Sequence, residues 1–314
     1  MLIVPAASTP PLCRHDHAGT CWWCEGAAGS REHRYKATDL RREFSREEYN
    51  EGEVIVRRGD RTTTVAGPKA GAVKFKDVFC ASCNNARSQP FDRAYDRLVG
   101  WFAESEDAVE TSRLLPLEEI DSDWASLAEK VCRYFVKHIG CRIADCGFEV
   151  PSSFACYLDG GEFPPGLVLS FELDAVFGAI NQLLKENPTP HGTSGNLFLG
   201  PITGEVTRDE HKATIVRSHW AYHALQLVWE WSAEGEPTGT NLDRPVVELP
   251  LVRAWEGAAL QKLVARRQAP GVAGLFWRSW YRIRPGLALP ALAKETDNPA
   301  LLDLTGSGGP EAGG

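Results

Sequence analysis

The spacing of apolar positions changes several times along this chain, and each change predicts a different element. Residues 1–18 have no apolar period and carry Pro5, Pro10 and Pro11, which predicts a flexible arm. Residues 36–49 are polar and suit a short helix or helical loop. Glu53-Val-Ile-Val-Arg57 and Thr62-Thr-Thr-Val65, joined through Arg58-Gly59-Asp60, read as a hairpin of β-branched strands. Val73-Lys-Phe-Lys-Asp-Val-Phe79 alternates and predicts a strand running into Cys80. Across residues 88–102 the period becomes helical, with Phe91, Tyr95, Leu98, Trp101 and Phe102 on one face. A second helix is expected behind Asp121 or Ser122, either of which can cap it. Its stripe is Trp124, Leu127, Val131, Tyr134, Phe135 and Ile139. Residues 167–173, 214–217 and 225–231 return to strand-like patterns, with turns at Gly160-Gly161 and Gly235. The fold class expected from this series is α+β.

Charge divides the chain. Its 314 residues carry a formal net charge of −8. Residues 1–103 are mildly basic at +3, whereas residues 104–314 are acidic at −11. The shift falls at Glu104-Ser-Glu-Asp107 and predicts four parts. These are a flexible arm (1–18), an N-terminal domain (19–103), an acidic α+β domain of unknown role (104–290) and a Gly-rich flexible tail (291–314). With 43% hydrophobic residues the chain is too apolar for a disordered one, and it contains no apolar run long enough to span a membrane. The N-terminus lacks the basic and apolar segments of a secretory signal, so the nine cysteines are expected in a reducing, cytoplasmic setting.

In such a setting closely paired cysteines more often hold metal than form disulfides. Cys21-Trp-Trp-Cys24 and Cys80-Ala-Ser-Cys83 are two such pairs. A two-residue gap lets both thiolates of a knuckle face one tetrahedral centre, and two knuckles complete a four-sulfur zinc site. The distance from Cys24 to Cys80 is long for a zinc ribbon, so the segment between them must be a folded insertion. Between the knuckles stands Ser30-Arg-Glu32-His33, and Asn84-Asn85-Ala-Arg87 follows the second one.

This set of motifs resembles the HNH endonuclease family, in particular members whose ββα-metal fold is tied by two Cys-x-x-Cys knuckles. The resemblance covers residues 20–103, about a third of the chain. It implies a zinc-stapled ββα-metal fold for the N-terminal domain and metal-dependent hydrolysis of a DNA phosphodiester. His33 would be the general base, and Glu32 and Asn84 would hold a catalytic Mg²⁺ or Mn²⁺ distinct from the structural zinc. Arg31, Arg34 and Arg87 would contact phosphate. These residue types suit the chemistry. A neutral imidazole accepts a proton from water, carboxylate and amide oxygens bind hard cations, and guanidinium groups bind phosphate. In one respect the chain departs from the family. The usual Asn a few residues before the second knuckle is missing, and only Asp77 is acidic in Lys74-Phe-Lys-Asp-Val-Phe79. The missing residue comes from the insertion after His33, or the site is degenerate. The alternative is therefore an inactive HNH-like zinc module that binds nucleic acid or a protein.

Other clusters read more plainly as packing. Cys13, His15 and His17 belong to the arm, and the gaps among Cys132, His138, Cys141, Cys146 and Cys156 match no knuckle. His219 and His223 are four apart but lack a glutamate between them. The basic-aromatic group Trp277, Arg278, Trp280, Tyr281, Arg282 and Arg284 has core-like helical spacing.

Overall fold

The computed structural model describes residues 10–44, 47–49, 54–58, 61–186, 197–207, 212–235 and 237–258. The expected tail and the cluster at residues 277–284 lie outside them, as do residues 1–9 of the expected arm. Residues 10–18 lie against the second part of the chain. Leu12 bridges to Ala213, Arg14 bridges to Phe148, and His17 is buried with Nε2 2.8 Å from the Phe148 carbonyl.

The N-terminal part is organised by an irregular antiparallel ribbon of residues 29–34 and 73–79. Ser30 bridges to Phe79 and His33 to Lys74, and Phe75 N–H donates to the Glu32 carbonyl. The strand expected at residues 73–79 is thus a bridged segment entered through a 3₁₀ turn, Gly71–Val73. The segment between the two arms of the ribbon carries helix α1 (Ala37–Phe44) and the expected hairpin, β1 (Ile55–Arg58) with β2 (Arg61–Thr64). Leu40, Tyr49, Val54, Val56, Val65 and Val73 give this insertion a small core of its own. After the ribbon comes a π-helical turn, Ser82–Arg87, and then the long helix α2 (Gln89–Ser112).

Charge composition placed a boundary between residues 103 and 104, and that position falls inside α2. The apolar face continues past Phe102 to the buried Val109, so the helix does not stop where the acidity begins. After β3 (Leu114–Pro116) and α3 (Leu117–Ile120), helix α4 runs from Trp124 to Asp145. Its cap is Asp123, whose side chain accepts from Ser126 N–H at 3.3 Å, rather than Asp121 or Ser122. Asp121 instead accepts from the Asp123 N–H.

The remaining elements are α5 (Ser152–Leu158), β4 (Leu167–Asp174), α6 (Ala175–Glu186), β5 (Leu197–Leu199), β6 (Thr203–Val206), β7 (Ala213–Tyr222), β8 (Leu225–Ser232), β9 (Gly239–Thr240), β10 (Val246–Glu248) and β11 (Leu251–Val252). β4, β8 and β7 form the antiparallel centre of a seven-stranded sheet, with Leu169 opposite Trp229 and Ser218 opposite Trp229 across the two ladders. The expected α+β class is observed, and among the described residues no helix is long and apolar enough to cross a membrane.

α4 connects the two halves. One face packs on the sheet, where Phe135 meets Phe171 and Trp220, and buried Arg142 donates to the Gly200 carbonyl and Ser218 Oγ. The other face packs on the ribbon and the first knuckle. Tyr134 stacks on Tyr95 of α2, His138 bonds to the Arg34 carbonyl, and Trp22 Nε1–H points at Cys141 Sγ. At Gly140 the helix approaches so closely that a Cβ would lie 2.5 Å from Trp22, which explains a glycine in a helix interior despite its cost of about 1 kcal/mol. The main apolar core is continuous from Leu12 to Leu249.

A second tie joins the insertion to the sheet. His223, at the β7–β8 turn with φ of 53°, lies between Glu43 of α1 (2.9 Å) and Glu106 of α2 (3.2 Å). Burial opposes its protonation, but the hydrogen bonds to Glu106 and Glu43 raise its pKa to about 9.

Candidate metal centre and the adjoining cleft

Local backbone geometry builds the first knuckle. Cys21 N–H donates to the Gly26 carbonyl, Glu25 N–H returns to the Cys21 carbonyl, and Glu25 takes a left-handed φ of 58° to close the turn. Trp22 N–H donates to the Val78 carbonyl, which seats the turn on the ribbon. In the second knuckle the Cys83 N–H points at Cys80 Sγ at 3.3 Å, and Asn84 N–H donates to the Cys80 carbonyl. The sulfurs of Cys21, Cys24, Cys80 and Cys83 all lie within 4.8 Å of one another, and Cys24 and Cys80 are 3.6 Å apart. Sulfurs bonded to one zinc at about 2.3 Å stand roughly 3.8 Å apart, so this soft donor set can hold a metal ion and is compatible with structural zinc. Burial pushes the Cys21 and Cys83 thiols up. Burial acts the same way on Cys80, but the Cys83 N–H and the neighbouring thiols outweigh it and bring Cys80 down to about 7. Among the described residues no other group of three or more His, Cys, Asp or Glu side chains meets the same distance limit. Neither the cysteines of α4 nor the His15, His17, His219 and His223 side chains build a second centre of that kind.

Beside this centre the ribbon, α1 and the π-helical turn enclose a cleft of about 560 Å³. Glu32 and His33, and Asn84 from far along the sequence, all line it, together with Arg31, Lys36, Lys74, Asp77 and Asp92. His33 Nε2 is 3.2 Å from the Pro68 carbonyl, a group of the insertion. With the Nε2 proton donated there, Nδ1 keeps its lone pair. Burial, aided by Lys74, lowers the His33 pKa to about 4, so the ring is neutral at pH 7. Asn84 Nδ2–H donates to Ser30 Oγ at 2.7 Å, while its buried Oδ1 has no hydrogen-bond partner. An orphaned buried carbonyl oxygen at the wall of a polar cleft is a position where a cation would be accepted.

Glu32 is buried, and its Oε1 is 3.0 Å from Lys137 Nζ. The same ammonium lies 2.9 Å from Asp92 Oδ1, and Lys36 reaches Asp92 and Asp96 from the other side. Burial pushes the Glu32 carboxyl up, against the pull of Lys137; for Asp92 the two lysines outweigh burial and hold it down. Burial alone would lower Lys137, but Glu32 and Asp92 hold its ammonium above the ordinary range.

The three candidate phosphate contacts are placed differently from one another. Arg31 lines the cleft, with Nε on the Phe75 carbonyl and 3.7 Å from Asp77. Arg34 turns inward to Asp145 and the Lys74 carbonyl. Arg87 stacks over Trp23 at 4.3 Å and bonds to Asp159 and Cys83 Sγ, which places it in the support of the knuckles. Sequence spacing did not mark Lys137 or Asp92 as site residues. The available signal was Lys137 inside the largely apolar segment Tyr134–Ile143 of α4, where a buried lysine demands an anionic partner.

No family model, curated protein or solved structure matches this chain.

Proposed function

We propose that the cleft is the site of an HNH-type, metal-dependent nuclease that hydrolyses phosphodiester bonds of DNA, and that the four cysteines hold a structural zinc. One observation carries this reading: Glu32, His33 and Asn84 line one cleft next to the four-cysteine centre. The antiparallel ribbon followed by α2 supports it further, since this is the order of elements expected of a ββα-metal unit.

The donors fit a hard divalent ion. Glu32 and the unpartnered Asn84 Oδ1 are the oxygens that would hold it, and when bound it would neutralise charge on the scissile phosphate. His33 takes the proton from the attacking water at Nδ1, while the Pro68 carbonyl fixes the ring through Nε2–H. In this role Pro68 stands in for the Asn missing ahead of the second knuckle. Arg31, Lys36 and Lys74 give the cleft the cations that attract and orient a phosphate backbone.

Supercoiled-plasmid nicking in Mg²⁺ or Mn²⁺ tests the proposal. The wild-type chain should nick, and His33→Ala should lose activity while keeping its zinc. Equal nicking by both, or none by either across metals, removes the enzymatic reading. A second reading, an inactive zinc module that binds nucleic acid or a protein, is favoured by the engagement of Glu32 with Lys137.

A further inference from the structure

Lys137 belongs to α4, outside both knuckles and the ribbon, yet its fully buried ammonium bonds Glu32 and Asp92 at 3.0 and 2.9 Å. Its stem leaves α4 beside Tyr134, whose ring lies 5.1 Å from Nζ. Glu32 comes from the ribbon and Asp92 from the first turn of α2, where Ser88 Oγ also holds it. One cation from the second half of the chain therefore fixes two carboxylates from the first.

The charge balance of the cleft follows from this. Its lining sets the cations Arg31, Lys36 and Lys74 against the carboxylates Glu32, Asp77 and Asp92, and the buried Lys137, outside the lining, offsets Glu32 and Asp92. A free divalent ion approaching Glu32 meets a resident ammonium within contact distance of the same carboxylate. A phosphate group meets Arg31 and Lys74 on the lining, while the charge of Glu32 and Asp92 is offset by Lys137. Divalent ions in phosphoryl sites are commonly held by one or two carboxylates plus the substrate's own oxygens.

We infer that Lys137 is a built-in counter-ion and positioning residue, through which the cleft binds a divalent ion weakly alone and firmly only together with a phosphodiester. This rests on the reading of the cleft as a metal-dependent phosphodiester site. It gives the acidic second half a defined task, the completion of that site.

The test is Mn²⁺ binding to the zinc-loaded full chain, followed by the electron paramagnetic resonance signal of free Mn²⁺. It is run with and without a non-cleavable phosphorothioate DNA duplex, subtracting ion held by the duplex alone. Wild type should bind Mn²⁺ about tenfold more tightly with the duplex than without it. Lys137→Met should bind Mn²⁺ about tenfold more tightly than wild type in the absence of DNA, yet cleave more slowly. Lys137→Arg should restore the wild-type pattern. Mn²⁺ should also raise the Tm of Lys137→Met more than that of wild type, because the ion replaces the lost cation. A purely structural lysine would give weaker or unchanged Mn²⁺ binding in Lys137→Met, and that result overturns the inference. Should Lys137→Met not fold, the wild-type comparison alone decides, and equal affinity with and without the duplex overturns it. Absence of plasmid nicking would remove the catalytic reading, while the binding measurements judge Lys137 separately.

Discussion

The four-cysteine centre and the polar cleft share one ribbon, residues 29–34 and 73–79, yet they are put together in different ways. The centre draws its donors from two local turns, and each turn's own backbone aims its thiols at a common point. Its four soft sulfurs form a complete donor set, and the cation that touches it, Arg87 on Cys83 Sγ, comes from the same local turn. The cleft takes Glu32 and His33 from the ribbon, Asn84 from the π-helical turn and Asp92 from α2, and Lys137 of α4 is buried against two of these carboxylates. Its carboxylates are already matched by an internal cation. A site made of local turns depends on its own segment, whereas a site made of four elements depends on how those elements dock. Disturbing the docking should therefore affect the two sites unequally.

The largest effect is expected at the centre itself. Cys80→Ser should lose stoichiometric zinc on metal analysis and lower Tm by about 10 °C or more, given the large share of folding energy that structural zinc supplies. Retention of full zinc would remove the four-sulfur assignment. Next comes the chemistry of the cleft. His33→Ala should slow phosphodiester cleavage by about 10²–10⁴-fold without altering zinc content or Tm.

The docking ties should give smaller, measurable changes. The folded-state pKa of His223 is raised to about 9 from an unfolded value near 6.5. Its contribution is therefore complete below pH 6.5 and is lost as pH rises through 9, on the order of 3 kcal/mol in all. Denaturant unfolding of wild type against His223→Gln should converge at high pH. A constant gap from pH 6 to 10 would show that the imidazolium is not what joins α1 to the sheet. The smallest effect is expected at Gly140→Ala, which forces the helix off Trp22 and should cost about 1–3 kcal/mol. Zinc affinity should change little, since the knuckle is locally built, and Trp22→Leu in the same chain should recover part of the loss.

The same contrast explains what could be read from sequence. Cys-x-x-Cys spacing is local information, so the four cysteines were legible, as were the hairpin Ile55–Arg58 with Arg61–Thr64 and the strands near residues 167–173 and 225–231. The placement of Arg34 and Arg87 was not, because their partners Asp145 and Asp159 lie more than 70 residues further along the chain. A run of acidic residues suggested a boundary at residue 104, but Glu104 and Asp107 lie on the solvent face of α2 while its buried face continues through Glu106 to Val109. Asp121 and Ser122 had capping chemistry equal to that of Asp123, and only the backbone geometry at 123 distinguishes them. Lys137 could be recognised as anomalous within a largely apolar helix segment, but its carboxylate partners come from two other elements.

The most direct test of the central claim is single-turnover cleavage of supercoiled plasmid by the zinc-loaded full chain in Mn²⁺, wild type beside His33→Ala. The expected result is Mn²⁺-dependent nicking by wild type and a rate lower by at least about 10²-fold in the variant, with zinc content unchanged. Nicking at the same rate by both proteins, or intact plasmid with wild type in every metal, would contradict it.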